Sequence, residues 1–292
     1  MRRAAFLFLA GVLLLATACV SRPPRIVVGS KFFTEQVVLA ELLAQHIEAH
    51  IGVRVERRSN LGSTQICHQA LLSGGIDLYV EYTGTALTAV LSEKPSGDSK
   101  AVYERVRQAY AEHFHFVVTE PLGYENTFAM VIRGEDARRN HLTAISGIAP
   151  FAAHWRIGVG YEFLERPDGY RGWSERYGLR FAEPPRVMDL GLIYRALKEK
   201  QVDIVAGNST DGLIDALDLV ALEDDRHYFP PYDAVPIVRG ATFEEFPALR
   251  TALAELAGKI TAADMRKLNY AVDGEHRDVA DVVRAYRQSK GL

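Results

Sequence analysis

The chain has 292 residues, a formal net charge of -3 and 48% hydrophobic residues, the balance of a soluble globular protein with material for one large or two modest cores. That composition excludes disordered, collagen-like and coiled-coil classes. The basic residues are scattered, so the chain carries no electrostatic footprint for nucleic acid.

Residues 1–18 read as a secretory signal, with Arg2 and Arg3 as the positive end, Ala4 to Leu15 as the apolar run, and Ala16-Thr17-Ala18 as a small-residue cleavage site. An apolar run of about twelve residues is too short to span a bilayer comfortably. Two processing routes fit. Ala-Thr-Ala suits ordinary signal peptidase, whereas Leu15 to Cys19 resembles a bacterial lipoprotein box, and a cysteine directly after the small residues favours lipid on Cys19. Residues 19–24 are then a short tether. Cys67, the other cysteine, is left without a disulfide partner, and its helical face with Ile66, Ala70 and Leu71 predicts a buried small hydrophobe.

The run Ile26-Val27-Val28-Gly29 predicts a buried strand, and Thr34 is a candidate N-cap for a helix with Val38, Leu39, Leu42, Leu43 and Ile47 at helical spacing. A strand over Val53 to Arg57, a helix over Ser63 to Ser73 ended by Gly74-Gly75, and a strand over Ile76 to Val80 follow. The pattern is α/β. It also repeats: Ala70-Leu71, Ile76-Asp77-Leu78-Tyr79 and Tyr82-Thr83-Gly84-Thr85 recur as Ala196-Leu197, Val202-Asp203-Ile204-Val205 and Asn208-Ser209-Thr210-Asp211 at a constant offset. Two similar lobes with strand ends facing one cleft are expected, and open α/β sheets bind ligands outside the carboxyl ends of their strands. The crossover between lobes is expected at Phe128 to Arg133 and the return at Pro230 to Val238. This sets lobe I at 25–128 with 235–292, and lobe II at 129–234. The helical remainder beyond Thr242 is expected to pack back on lobe I.

Catalytic patterns are lacking. Gly207-Asn208-Ser209-Thr210-Asp211 does not make a nucleophile elbow, and Gly158-Val159-Gly160 is too short for a dinucleotide fingerprint. His46 and His50 have metal-compatible spacing but sit beside Glu48 and away from the apolar stripe, which reads as a solvated face; His113 and His115 read as surface residues. Aromatic residues gather instead at strand ends: Phe32, Phe33, Tyr82, Tyr161, Phe163 and Tyr232, with Phe33 and Phe163 assigned to ordinary packing. Aromatic faces attract organic cations, and helix N-termini receive carboxylates, so a pocket with both suits a zwitterion.

Five ordered segments carry a family resemblance: Gly29-Ser30-Lys31-Phe32-Phe33-Thr34-Glu35-Gln36, Asn60-Leu61-Gly62-Ser63-Thr64, Asp77-Leu78-Tyr79 with Glu81-Tyr82-Thr83-Gly84-Thr85, Ser209-Thr210-Asp211-Gly212, and Phe229-Pro230-Pro231-Tyr232-Asp233. The chain resembles the substrate-binding subunits of osmoprotectant ABC importers, which capture glycine betaine, choline, carnitine and related quaternary ammonium compounds. The resemblance implies a two-lobed periplasmic-binding-protein fold (type II), each lobe a mixed sheet flanked by helices, that closes on its ligand and docks on a permease with its ATPase. It implies Tyr82 and Tyr232 as cage tyrosines, Lys31 and Thr85 at the ligand carboxylate, Phe32 nearby, and Arg166 as the cation of the second lobe. Two positions depart from the family: Asn208 and Leu122 stand where relatives carry tyrosines, removing half of the cage, while Glu120 supplies negative charge. Loss of two rings would forfeit roughly 1 to 4 kcal/mol of cation binding.

These readings make the chain an extracytoplasmic solute-binding protein, monomeric, without cofactor or metal, held to a membrane by lipid on Cys19. Asn208 keeps a different polar metabolite open, such as an ergothioneine-type betaine. A ligand-sensing receptor module and an extracytoplasmic enzyme are the other readings.

Overall fold

The computed structural model describes residues 24–292; the signal segment, Cys19 and nearly all of the tether lie outside them. Strand β1 (Arg25–Lys31) leads into helix α1 (Thr34–Ile51), then β2 (Arg54–Gly62), α2 (Thr64–Leu72), β3 (Leu78–Tyr82), α3 (Ser99–Phe114) and β4 (Phe116–Val118). The chain passes to β5 (Phe128–Arg133), β6 (Ile157–Val159), α4 (Tyr161–Glu165), α5 (Tyr170–Tyr177), β7 (Arg186–Val187), α6 (Ile193–Lys198), β8 (Ile204–Asn208) and β9 (Leu219–Leu222). It returns through β10 (Ala234–Arg239) and ends in α7 (Leu249–Ala254), α8 (Ala262–Asp273) and α9 (Val279–Lys290).

Two five-stranded sheets result, ordered β2-β1-β3-β10-β4 and β7-β6-β8-β5-β9. They are built alike. In each, two parallel strands lie beside the repeat strand, β3 or β8, and the strand from the other crossing, β10 or β5, pairs with it antiparallel. This is the expected two-lobed α/β architecture.

The sequence repeat becomes a repeated set of bonds. Gly75 and Ile76 N–H both reach Ala70 O, and Gln201 and Val202 N–H both reach Ala196 O. Asp77 then holds β1 by exchanging backbone and carboxylate bonds with Val27, as Asp203 does with Arg156 at the start of β6. An aspartate at that point satisfies backbone donors that the short strands leave unpaired.

Helix α1 is buried along most of its length because it is sandwiched between the first sheet and the C-terminal helices. Leu39, Leu43 and Ile47 meet Leu249, Leu253, Met265 and Val283 in one core. Full burial of each such side chain contributes roughly 1.5–3 kcal/mol. Cys67 is fully buried on the opposite face of that sheet, among Leu71, Tyr79 and Tyr110.

Three local expectations need correction. Phe33, not Thr34, occupies the N-cap of α1, because the Thr34 hydroxyl is engaged by Asp273 of α8 at 2.6 Å. His46 is completely buried rather than solvated, since α7 covers that face of α1; His50, His113 and His115 are exposed as expected. The runs 128–133 and 234–239 are strands inside the two sheets. The crossings lie just before them, where Glu125 bridges Asp233 antiparallel and Leu122, Tyr124 and Asn126 exchange backbone bonds with Tyr232 and Ala234.

Candidate ligand site between the lobes

Four elements end at one cleft. From lobe I come Lys31, Phe32 and Phe33 at the end of β1, and Tyr82 and Thr85 after β3; from lobe II come Gly160 to Phe163 after β6, Arg166, Leu190, and Ala206 and Asn208 at the end of β8. The crossings add Asn126, Phe128 and Tyr232. They enclose about 570 Å³ of empty space, the open mouth included.

Rings dominate the walls. Phe33 stacks on Tyr82 with centroids 6.5 Å apart, while Phe128 meets Tyr232 edge to face at 5.9 Å and Phe163 at 4.8 Å. Tyr232 sits so close to the turn after β3 that a Cβ at Gly84 would stand 2.8 Å from its ring and 2.7 Å from Pro231 O. Only glycine fits there.

The polar groups come as compensated pairs. Lys31 Nζ donates to Glu81 Oε1 at 2.5 Å and to Thr64 Oγ1 at 3.2 Å, which leaves one ammonium hydrogen free, and it lies 4.8 Å from the Tyr82 ring centroid. Arg166 donates to both oxygens of Asp168 and, across the cleft, to Thr85 Oγ1 at 2.8 Å; its guanidinium lies 5.0 Å from the Phe128 ring. Burial opposes ionisation of Asp168, but the Arg166 charge outweighs it, helped by bonds from Arg166, Tyr232 and Thr88, and holds the carboxyl below its usual range. Burial raises the Tyr82 and Tyr232 phenols well above their ordinary range, with the Glu35 and Asp168 carboxylates adding to it, so both stay protonated as donors.

Two further carboxylates have no cationic hydrogen-bond partner. Glu162, at the rim, accepts the Thr64 N–H at 3.0 Å. Glu35 is buried behind the tyrosine and accepts five bonds, from Tyr82, Tyr124, Asn126, Thr210 and Asn269. With Lys31 matched by Glu81 and Arg166 by Asp168, the site is net acidic and rewards a ligand with uncompensated positive charge.

Residues 24–289 match the family model described as the substrate-binding domain of ABC-type glycine betaine transport systems. The chain belongs to this family. Among curated relatives of this glycine betaine family, the carnitine transport binding protein OpuCC of Listeria monocytogenes is 35% identical over 89% of this chain and 85% of its own. A glycine-betaine-binding protein of Pseudomonas aeruginosa is 34% identical over 86% and 83%. The ergothioneine transport permease/binding protein EgtU of Helicobacter pylori is 30% identical, covering 98% of this chain and 51% of that longer protein. A solved structure of a glycine betaine/carnitine/choline ABC transporter protein superposes with a TM-score of 0.77 at 32% identity, over 90% of this chain and 98% of that one.

Of the residues singled out in the sequence of this family member, Lys31, Phe32, Tyr82, Thr85, Arg166, Asn208 and Tyr232 line the cleft together. Glu120 and Leu122 do not. Glu120 is exposed, and Leu122 is buried in the core of lobe I, where its N–H bonds Ala234 O and pulls the side chain inward. Phe33 and Phe163, assigned to packing, face both a core and the cleft. Sequence reading missed Asn126, Phe128, Glu162, Glu35 and Asp168. Glu35 lies two residues after the flagged Phe32-Phe33 and Glu162 follows Tyr161 directly, and a carboxylate in the first helical turn beside flagged aromatics is the signal that was available.

Proposed function

We propose that this protein captures a quaternary ammonium metabolite outside the cytoplasm and hands it to an ABC permease and its ATPase without chemical turnover. In this reading Tyr82, Phe128 and Tyr232 hold the methylated cation, with Phe33 extending the wall. The free hydrogens of Lys31 and Arg166, with the Thr85 hydroxyl, receive an oxygen of the ligand. Lobe I comprises 25–128 and 235–292, lobe II 129–234, and the monomer is tethered by lipid on Cys19. Among the described residues no helix is long and apolar enough to cross a membrane.

The observation that carries the reading is the coincidence in one cleft of ring faces with cations already paired, Lys31 to Glu81 and Arg166 to Asp168, and two further carboxylates, Glu162 at the rim and Glu35 behind Tyr82. Each desolvated ring contributes about 0.5–2 kcal/mol to a cation and close to nothing electrostatic to a neutral group of the same shape. Calorimetric titration with choline, carnitine, glycine betaine, ergothioneine and 3,3-dimethylbutan-1-ol, the neutral isostere of choline, tests it. One-to-one binding of at least one trimethylammonium compound is expected, with the neutral isostere at least about tenfold weaker than choline. Equal affinity for the isostere, or binding of none of the ammonium compounds, would overturn it. Ergothioneine binding without choline binding would move the assignment to the imidazole betaine that the EgtU relative is named for.

A further inference from the structure

We propose that His46, His50 and Glu255 form a site for a divalent transition-metal ion on lobe I, at the far end of α1 from the ligand cleft. The two histidines stand one helical turn apart with ring centroids 3.9 Å from each other. Both Nε2 atoms face the same oxygen, Glu255 Oε2, at 3.5 Å from His46 and 3.0 Å from His50. The Ala252 carbonyl adds a fourth donor, 2.8 Å from His46 Nε2. These three contacts of 2.8–3.5 Å are as short as or shorter than the edges of a tetrahedral zinc shell built on bonds of about 2.0–2.2 Å, and the three side-chain donor atoms lie within 4.8 Å of one another.

Tautomers can be read from the neighbours. His50 Nδ1 lies 2.8 Å from the His46 carbonyl, which can only accept, so Nδ1 carries the hydrogen. With Nδ1 committed to that carbonyl, Nε2 is the His50 atom that meets Glu255 Oε2, as a hydrogen-bond donor when it carries a proton and as a metal ligand when it does not. The same Nδ1–H to carbonyl bond is what orients metal-ligating histidines. His46 is fully buried and presents Nε2 to this pocket. Its Nε2 hydrogen now points to Ala252 O. On metal binding that proton leaves Nε2, and Nδ1, which has no partner now, receives it or it passes to solvent. Arg287 faces the same pocket and opposes a cation, while Glu255 supplies the only carboxylate of the set, which keeps the affinity moderate.

Imidazole nitrogen with one carboxylate selects zinc or its neighbours over magnesium and calcium. The ion would pin the end of α1 to the turn after α7. Eleven residues of helix, about 16 Å, separate His46 from Glu35 at the ligand end. His50 and Glu255 are partly exposed, so their substitution leaves the core intact.

The test is calorimetric titration of chelator-treated, tag-free protein with Zn²⁺, with Mg²⁺ as control. One equivalent of Zn²⁺, a raised melting temperature, and at least tenfold weaker binding in both His50→Gln and Glu255→Gln are expected, with choline-class binding the same in all three proteins. Absence of Zn²⁺ binding, or undiminished binding in both variants, would overturn the site. A zinc-soaked crystal of the unmodified protein gives a reading that needs no variant: anomalous density between His46, His50 and Glu255 supports the proposal, and density elsewhere alone, or none, sinks it.

Discussion

Asn208 reaches the cleft on a support of its own. Its backbone N–H and side-chain amide both donate to Asp211 Oδ2, the oxygen that also accepts the Tyr194 hydroxyl. Burial pushes the Asp211 pKa up to about 7, with Glu35 and Asp273 adding negative charge, against the opposing bonds from Tyr194 and Asn208. The folded pKa lies above the unfolded one, so between about pH 4 and 7 the native state holds a proton that the unfolded chain has lost, and stability falls as pH rises through that window. Asp211→Asn keeps one oxygen for all three donors and removes the charge. Thermal melts should show the variant more stable than the parent at pH 8, with the gap closing toward pH 4; a gap of constant size would contradict the assignment. The absence of a tyrosine at 208 is thus offset by an amide held in place from behind. Phe33 and Phe128 bring further rings to the same cleft.

The repeated aspartate clamp sets how each sheet is joined. Asp203 serves the Arg156 N–H and guanidinium and also the buried Arg133, whereas Asp77 serves Val27 and Thr242 and has only a 3.5 Å contact with the more exposed Arg239. Removing an acceptor costs most where the abandoned donor is charged and buried. Asp203→Ala should therefore lose about 2–4 kcal/mol in urea unfolding, and Asp77→Ala less; the reverse order would refute the comparison. Much of this level was legible in the sequence. The constant offset exposed the repeat because both copies must make the same helix-to-strand turn, and the helical periodicity of 38–47 located α1. Phe128 escaped because its role depends on meeting Tyr232, which lies over a hundred residues later and beside it only in the fold. His46 was misjudged for a related reason: its polar-looking face is covered by α7, from the other end of the chain. Position 76 reads as strand by composition, yet the ladder begins at Leu78, since the Asp77 clamp occupies the approach.

At the scale of the whole molecule, the lobes touch through a small set of polar contacts. Arg166 reaches Thr85, Thr88 donates to Asp168 at 3.0 Å, Glu162 accepts from Thr64, and the Thr210 hydroxyl donates to Glu35. Opening the cleft would break these four and the Asn269 bond to Thr210 O, and would leave Glu35, Glu162, Asp168 and Arg166 to water, which solvates them well; closing must be rewarded by the ligand. X-ray scattering should show the radius of gyration falling when a bound ammonium compound is added. Thr210→Val, which removes a donor from Glu35 without entering the cleft, should weaken that compound mainly through faster release. Identical scattering with and without a bound compound would mean that the closed arrangement persists on its own.

The two crossings between the lobes are not independent strings. Glu125 and Asp233 bridge them, and backbone bonds on either side tie 122–126 to 232–234 as a short antiparallel ribbon. A hydrogen-bonded ribbon bends more readily across its flat face than within its plane, so the paired crossings favour a hinge-like movement of the lobes over independent motion of each string. Each swing brings the Tyr82 half of the cleft back to the Arg166 half in the same alignment. In the proposed import role, a permease gripping both lobes would need to turn only that hinge to release the cargo.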